Sequence, residues 1–231
     1  MEAILLAGGL GTRLKSIVKD VPKPMAPIDN NKTPFLAVIM EKLKQNDFNH
    51  VVISIGYMGN IIKDYFGKSY LGIDIDYCLE DTPLLTGGAI KKARELCREQ
   101  DFFVINGDTF LDIDYKMMYQ YHLKTANELT IAIKKVADAS RYGLVDVENG
   151  IVKSFQEKIT KIAGFINVGV YCMKDTLSFT DNGNKFSFET DFMQNSDKKI
   201  FVYETKGRFI DIGIPRDYFY FRQLYKNREF S

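Results

Sequence analysis

The chain has 231 residues, 45% of them hydrophobic and 26% charged, the proportions of a globular protein large enough to bury its own core without staples. Its 31 basic and 30 acidic residues leave a formal net charge of +1, so no global field recruits nucleic acid or a membrane surface. Three scattered cysteines with no C-x-x-C pair and only two histidines argue against a disulfide framework or zinc site and exclude a multi-histidine metal centre.

Glu2 to Leu6 reads as a short buried strand, running into a turn that holds Gly8, Gly9 and Gly11. Thr33 to Asn46 has helical spacing, with Thr33 as its N-cap and Pro34 as its first residue. His50 to Ile55 is a second strand and Gly59 to Phe66 a second helix. Ile73 to Tyr77 alternates with period two and predicts a third strand. Gly87 to Arg98 is helical, opened by the turn Leu84 to Gly88. Phe102 to Ile105 is a fourth strand, ending in Asn106-Gly107-Asp108-Thr109. Strands alternating with helices imply right-handed βαβ units and a mainly parallel sheet. Ligands of such sheets bind beyond the carboxyl ends of the strands. The glycine turn and the Asp108 turn both occupy such ends and are expected to converge.

The second half changes character. Glu128 to Lys134, Gly143 to Val147, Ile151 to Gln156 and Phe165 to Cys172 are strand-like, and Glu148-Asn149-Gly150 signals a hairpin. Together they suggest an antiparallel extension walling a cleft. Ser187 to Gln194 fits a short helix and Phe201 to Tyr203 a short strand. Phe209 to Gly213 follows, and Pro215 starts a final helix to about Arg228. No repeat, low-complexity tract or linker divides the chain, so 1–231 is expected to be a single domain.

The glycine turn is where chemistry gathers. Successive N–H groups in such a turn make a concave anion site. Arg13 adds a planar, permanently charged fork suited to phosphate, and Lys23 a mobile point charge. These residues predict a polyphosphate site after the first strand. A dinucleotide fingerprint fails because Leu14 stands where a third glycine belongs and no acid follows Ser54-Ile55-Gly56. The P-loop pattern and G-x-S-x-G are absent. Asp108, after an apolar strand and Gly107, could hold Mg²⁺ with the help of phosphate oxygens; on spacing alone it serves equally as a cap for the helix after Ile113.

The run Leu5-Leu6-Ala7-Gly8-Gly9-Leu10-Gly11-Thr12-Arg13-Leu14, followed by Pro22-Lys23-Pro24-Met25, resembles the signature of sugar-1-phosphate nucleotidyltransferases. The resemblance extends from Met1 to about Tyr218. It implies an α/β fold, Rossmann-like and mixed but mainly parallel (the nucleotide-diphospho-sugar transferase fold), with a nucleotide-binding half at about 1–125 and a sugar-phosphate-binding half at about 126–231. It places Leu6, Ala7, Gly8, Gly9, Gly11, Thr12 and Arg13 on the nucleotide. Glu80, Thr86, Gly87 and Gly88 would face base and ribose. Arg13 and Lys23 are the catalytic cations, and Asp108 and Asp211 the Mg²⁺ carboxylates. Asn106, Gly143, Glu157, Lys158 and Asn167 fall on the sugar phosphate. Gly-Tyr-Met-Gly at 56–59, Phe-Ser-Phe-Glu at 186–189 and Phe-Ile-Asp-Ile-Gly-Ile-Pro at 209–215 look most like the D-glycero-D-manno-heptose 1-phosphate guanylyltransferases.

GTP and a heptose 1-phosphate are therefore the expected substrates, for a surface glycan. Mannose 1-phosphate guanylyl-, N-acetylmuramate 1-phosphate uridylyl- and glucose 1-phosphate thymidylyl- or uridylyltransferases are near alternatives, and a silent nucleotide-sugar sensor is a different class. Two departures stand out: Leu85 occupies the middle of a segment often written Leu-Gly-Thr, and Ser16 stands where many members have proline. The cysteine usage, the lack of a signal-like opening segment and of any apolar run near ~20 residues predict a cytoplasmic protein with no membrane or nucleic-acid partner. A homodimer is left open.

Overall fold

The computed structural model describes all residues except 10, 12, 13, 15, 16, 157–162, 180–182, 228, 230 and 231. Its first half runs β1 (Glu2–Leu6), α1 (Phe35–Gln45), β2 (His50–Ile55), α2 (Gly59–Phe66), β3 (Ser69–Tyr70), β4 (Ile73–Leu79), α3 (Leu85–Ala93), β5 (Asp101–Asn106), β6 (Thr109–Leu111) and α4 (Tyr115–Thr125). The second half runs β7 (Leu129–Val136), β8 (Leu144–Glu148), β9 (Ile151–Gln156), β10 (Gly164–Lys174), β11 (Phe201–Glu204), β12 (Phe209–Asp211) and α5 (Pro215–Lys226).

Ten strands form one sheet in the order β3-β4-β2-β1-β5-β10-β7-β11-β9-β8, with β8 also touching β10. β4, β2, β1 and β5 are mutually parallel. The near-continuous apolar sequences of β2, β1 and β5 follow from burial on both faces, whereas β4 alternates buried and exposed residues. In β1, Ala3 and Leu5 pack into a core with Phe35, Leu36 and Ile39 of α1, while Ile4 packs on the opposite side with Ile90 and Ala93 of α3. The antiparallel extension joins the parallel half through β10. β10 pairs with both β5 and β7, so it continues the same sheet. Asn149 and Gly150, both with positive φ, turn the β8–β9 hairpin as the sequence predicts.

Several boundaries move for local reasons. α1 starts at Phe35 because Pro34 is still extended (φ −76°, ψ 149°); Thr33 instead donates its N–H and hydroxyl to Asp29, each at 2.8 Å. β4 continues to Leu79 through its pairing with Ile55. α3 begins at Leu85 rather than Gly87 and passes into a 3-10 turn at Arg94–Leu96. The expected helix at 187–194 is a π-helical turn, Phe188–Phe192, and a 3-10 turn, Met193–Asn195. β6 and β12 pair with each other as a separate antiparallel ribbon.

At the amino ends of the parallel strands, the buried Glu2 carboxylate accepts N–H groups from Arg98 and Glu99 and lies 2.7 Å from His50 Nδ1. His50 Nε2 is 3.0 Å from Asp76. Burial pushes the His50 pKa down, but its two carboxylate partners outweigh burial and hold it above the ordinary value. This charged network ties β1, β2, β4 and the segment that leads into β5 together, away from the glycine turn.

Candidate active site

β1 and β5 are in register, with Leu6 opposite Asn106, so both deliver their following turns to one level. Gly107 N–H donates to the Leu6 carbonyl at 3.0 Å. A β-carbon on Gly107 would stand 2.8 Å from that same oxygen, which explains the glycine and fixes Asp108 beside the first turn. On the other side, Gly8 lies against Glu80: a β-carbon there would come within 2.2 Å of Glu80 Oε1. Glu80 is itself oriented by hydrogen bonds from the Ser54 hydroxyl (2.9 Å) and the Leu84 N–H (3.2 Å). Gly11, at φ +56°, folds onto Lys23, whose Cβ leaves no room for a side chain.

Lys23 opens a short 3-10 turn, Lys23–Met25, between two prolines that the sequence placed there. It is buried, and its Nζ lies 2.6 Å from Asp108 Oδ2 and 3.4 Å from Asp211 Oδ1. The β6–β12 ribbon explains the convergence. Asp211 pairs with Thr109, the residue after Asp108, so the two carboxylates arrive together from distant parts of the chain. Asp211 also accepts the Gly213 N–H at 2.6 Å and lies 3.7 Å from Arg141, which pairs in turn with Asp217 of α5. Among the described residues no group of three or more His, Cys, Asp or Glu is placed to hold a metal ion. What the site offers is two carboxylates around one ammonium.

Lys23, Asp108 and Gly213 border a cavity of about 490 Å³. Leu6, Ala7, Gly8, Gly9, Gly11, Lys23, Glu80, Thr86, Asn106 and Asp108, all named from the sequence, line it. Arg13, Thr12, Glu157 and Lys158 lie outside the described residues. Asp211 sits behind Lys23 and Gly213 rather than on the lining. Gly87 and Gly88, in the first turn of α3, are not on the lining: both N–H groups bond the Phe186 carbonyl, and side chains there would collide with Phe186 and Asn184. Asn167 is likewise engaged, donating to the Tyr171 hydroxyl (2.9 Å) and accepting the Gly169 N–H (3.0 Å). Gly143, at φ +78°, packs against the Gln156 carbonyl and is not on the lining.

Glu189 and Ser187 line the cavity without having been singled out individually. Glu189 accepts from the Thr86 hydroxyl (2.5 Å), the Tyr171 hydroxyl (3.0 Å) and the Ser187 hydroxyl (3.2 Å). Burial first, and the Glu189 charge second, push the Tyr171 pKa far up, so the phenol stays a donor. The signal was the Phe186-Ser187-Phe188-Glu189 segment, but a carboxylate in a polar surface-like stretch carries no mark of its distant partners. Leu85 also lines the cavity, at φ +62°, the left-handed region that glycine adopts freely and leucine at a cost. The backbone there keeps the shape that a Leu-Gly-Thr segment takes without strain.

Residues 2–227 match the family model described as Nucleotidyl transferase. The chain is 43% identical over 221 residues to the D-glycero-alpha-D-manno-heptose 1-phosphate guanylyltransferase of Aneurinibacillus thermoaerophilus, covering 94% of this chain and 95% of that one. It is 45% identical over 230 residues to the enzyme of the same name from Campylobacter jejuni, covering 96% and 98%. Among solved structures it resembles HddC from Yersinia pseudotuberculosis complexed with GMP-PN, with a TM-score of 0.86, 38% identity, and 97% and 99% of the two chains covered. A glycine turn facing a lysine and two strand-end aspartates, over a matched span of nearly the whole chain, makes this protein a member of the nucleotidyl transferase family.

Proposed function

We propose that this chain joins GTP to D-glycero-D-manno-heptose 1-phosphate, giving GDP-heptose and pyrophosphate for surface polysaccharide synthesis. The observation that carries the reading is the near full-length likeness to two heptose 1-phosphate guanylyltransferases. The site supports it. A phosphomonoester is largely ionised near neutral pH, its second pKa being about 6, so it needs no general base to become a nucleophile. One of its oxygens attacks the α-phosphorus, the bond to the bridging oxygen of the β-phosphate breaks, and pyrophosphate leaves. The demand on the protein is to align two anions and neutralise them.

In this reading the amides of Gly8, Gly9 and Gly11, with Thr12 and Arg13, hold the departing pyrophosphate. Lys23 neutralises charge near the α-phosphate. Glu80, Thr86, Gly87 and Gly88 shape the base and ribose end. Lys158 takes the sugar phosphate and Glu157 its hydroxyls, with Asn106, Gly143 and Asn167 on the same wall. Asp108 and Asp211 would hold Mg²⁺. The fit is supported by the Lys23 ammonium lying within 3.4 Å of both carboxylates, a cation already between oxygen donors. Bound Mg²⁺ supplies Lewis-acid polarisation of phosphoryl oxygens. No helix among the described residues is long and apolar enough to cross a membrane, and a cytoplasmic setting suits substrates of this kind.

The test is a matrix of five nucleoside triphosphates against heptose, mannose, glucose and N-acetylmuramate 1-phosphates, read as pyrophosphate release with and without chelator. The highest kcat/KM is expected for GTP with the heptose phosphate, and chelation should abolish turnover. A preference for UTP or dTTP moves the chain to another branch of the family. Nucleotide binding without release in any combination makes it a sensor.

A further inference from the structure

The cavity lining has two unlike parts. Lys23, Asp108 and Asn106 make a polar, charged part, while Pro83, just before α3, and Leu85 and Ala89, within it, make an apolar part. Leu85 is out of place by both rules that govern leucine. Its backbone is in the left-handed region, at φ +62°. Its side chain is 49% exposed and belongs to neither hydrophobic core. An interior leucine offsets backbone strain by packing; this one leaves half of its surface uncovered. Strained residues at a cavity wall point to a role in what the cavity holds.

We propose that Leu85 is a specificity-determining residue whose side chain is the apolar face on which the nucleobase packs. The polyphosphate belongs at the charged part, against the glycine turn and Lys23. The base is the one flat, weakly polar portion of a nucleotide, and it then falls at the part that Pro83, Leu85 and Ala89 line. Glu80, held by Ser54 and Leu84, stands beside them as a fixed acceptor for donors on the edge of the base. The left-handed backbone is what turns Leu85 toward the ligand, instead of into the cores that α3 shares with the sheet. A purine covers more of this face than a pyrimidine, so Leu85 favours the larger base. This inference rests on the proposed reading of the cavity as a nucleotide site.

The experiment is equilibrium titration of wild type, Leu85→Gly and Leu85→Ala with GTP, UTP and inorganic tripolyphosphate, without sugar phosphate. Losing a half-exposed leucine face should raise the Kd for GTP about five- to tenfold in both variants. The loss for UTP should be smaller, and the Kd for tripolyphosphate unchanged. Leu85→Gly also relieves the strained backbone, so it folds at least as readily as wild type. Three results overturn the proposal: unchanged GTP affinity, an equal loss for tripolyphosphate, or a loss in the glycine variant alone, which would assign the effect to backbone freedom. If wild type prefers UTP, the guanylyl reading fails while this one is decided on UTP, where unchanged affinity in both variants overturns it.

Discussion

Lys23→Met removes one positive charge and keeps most of the side-chain stem. In the folded chain that charge faces Asp108 at 2.6 Å and Asp211 at 3.4 Å, with side-chain exposures of 8% for the lysine, 37% for Asp108 and 17% for Asp211. A hydrogen bond between charged groups is worth about 1.5–3 kcal/mol when largely buried. Asp108 is more than a third exposed, so solvent screens part of it, and about 1–2 kcal/mol is the expected loss. For a domain of this size each kcal/mol moves Tm by about 2–4 °C, giving a fall of about 2–8 °C. The second half of the prediction has the opposite sign. With the ammonium gone, two carboxylates face each other, Arg141 standing 3.7 Å from one of them, and a divalent cation no longer competes with Lys23. Mg²⁺ without nucleotide should therefore raise the Tm of the variant more than that of wild type, while turnover falls about a hundredfold for want of a preorganised charge. Thermal melts across a Mg²⁺ series, beside pyrophosphate release, test this. A variant that melts with wild type and responds equally to Mg²⁺ would refute the idea that Lys23 occupies a cation site.

Lys158→Ala should raise KM for the sugar 1-phosphate about ten- to a hundredfold and leave KM for the nucleotide nearly unchanged; steady-state kinetics varying each substrate would show otherwise if Lys158 is a solvated surface charge. Gly107→Ala drives a β-carbon to 2.8 Å from the Leu6 carbonyl. It should cost about 1–3 kcal/mol by urea denaturation and lower kcat, since the same shift displaces Asp108; wild-type values for both would mean that the turn yields freely. The raised pKa of His50 makes its contribution complete below the ordinary value of about 6.5 and lost as pH rises through the folded value. Glu2 and Asp76, held below their ordinary values, lose theirs only as pH falls. Wild type should thus lose urea stability as pH rises above about 6.5 by an amount absent from His50→Gln; parallel profiles would exclude His50 as the cause.

The strands β1 and β2 and the helix α2 were legible to the residue, because the strands are short, mostly apolar runs and α2 is bounded by Gly59 and Gly67. Thr33 misled because a side chain that can cap a helix can equally close a loop, and Asp29 four residues earlier made the loop the better offer. The β6–β12 ribbon was invisible. Thr109 to Leu111 looks like the exit of a strand, and its partner lies a hundred residues on, with no local signal for the pairing. The same distance problem hides Glu189, whose partner Thr86 is 103 residues away. The glycine turn and Asp108 could be placed together by strand-end geometry alone. Asp211 reached the same place only through resemblance.

The ribbon that delivers Asp211 also sets a timetable for synthesis. Lys23 and Asp211 are 188 residues apart, and nearly all the sheet is made before the second aspartate appears. At about 5–20 residues per second, roughly ten to forty seconds separate the two on the ribosome. Within that interval β2, β4, β5 and then Asp108 are made in turn, so that of the two carboxylates Lys23 can meet Asp108 first. The glycine turn is made early, but the three-residue β6–β12 pairing must close before both carboxylates share Lys23. Catalytic competence is therefore among the last properties this chain acquires as it folds.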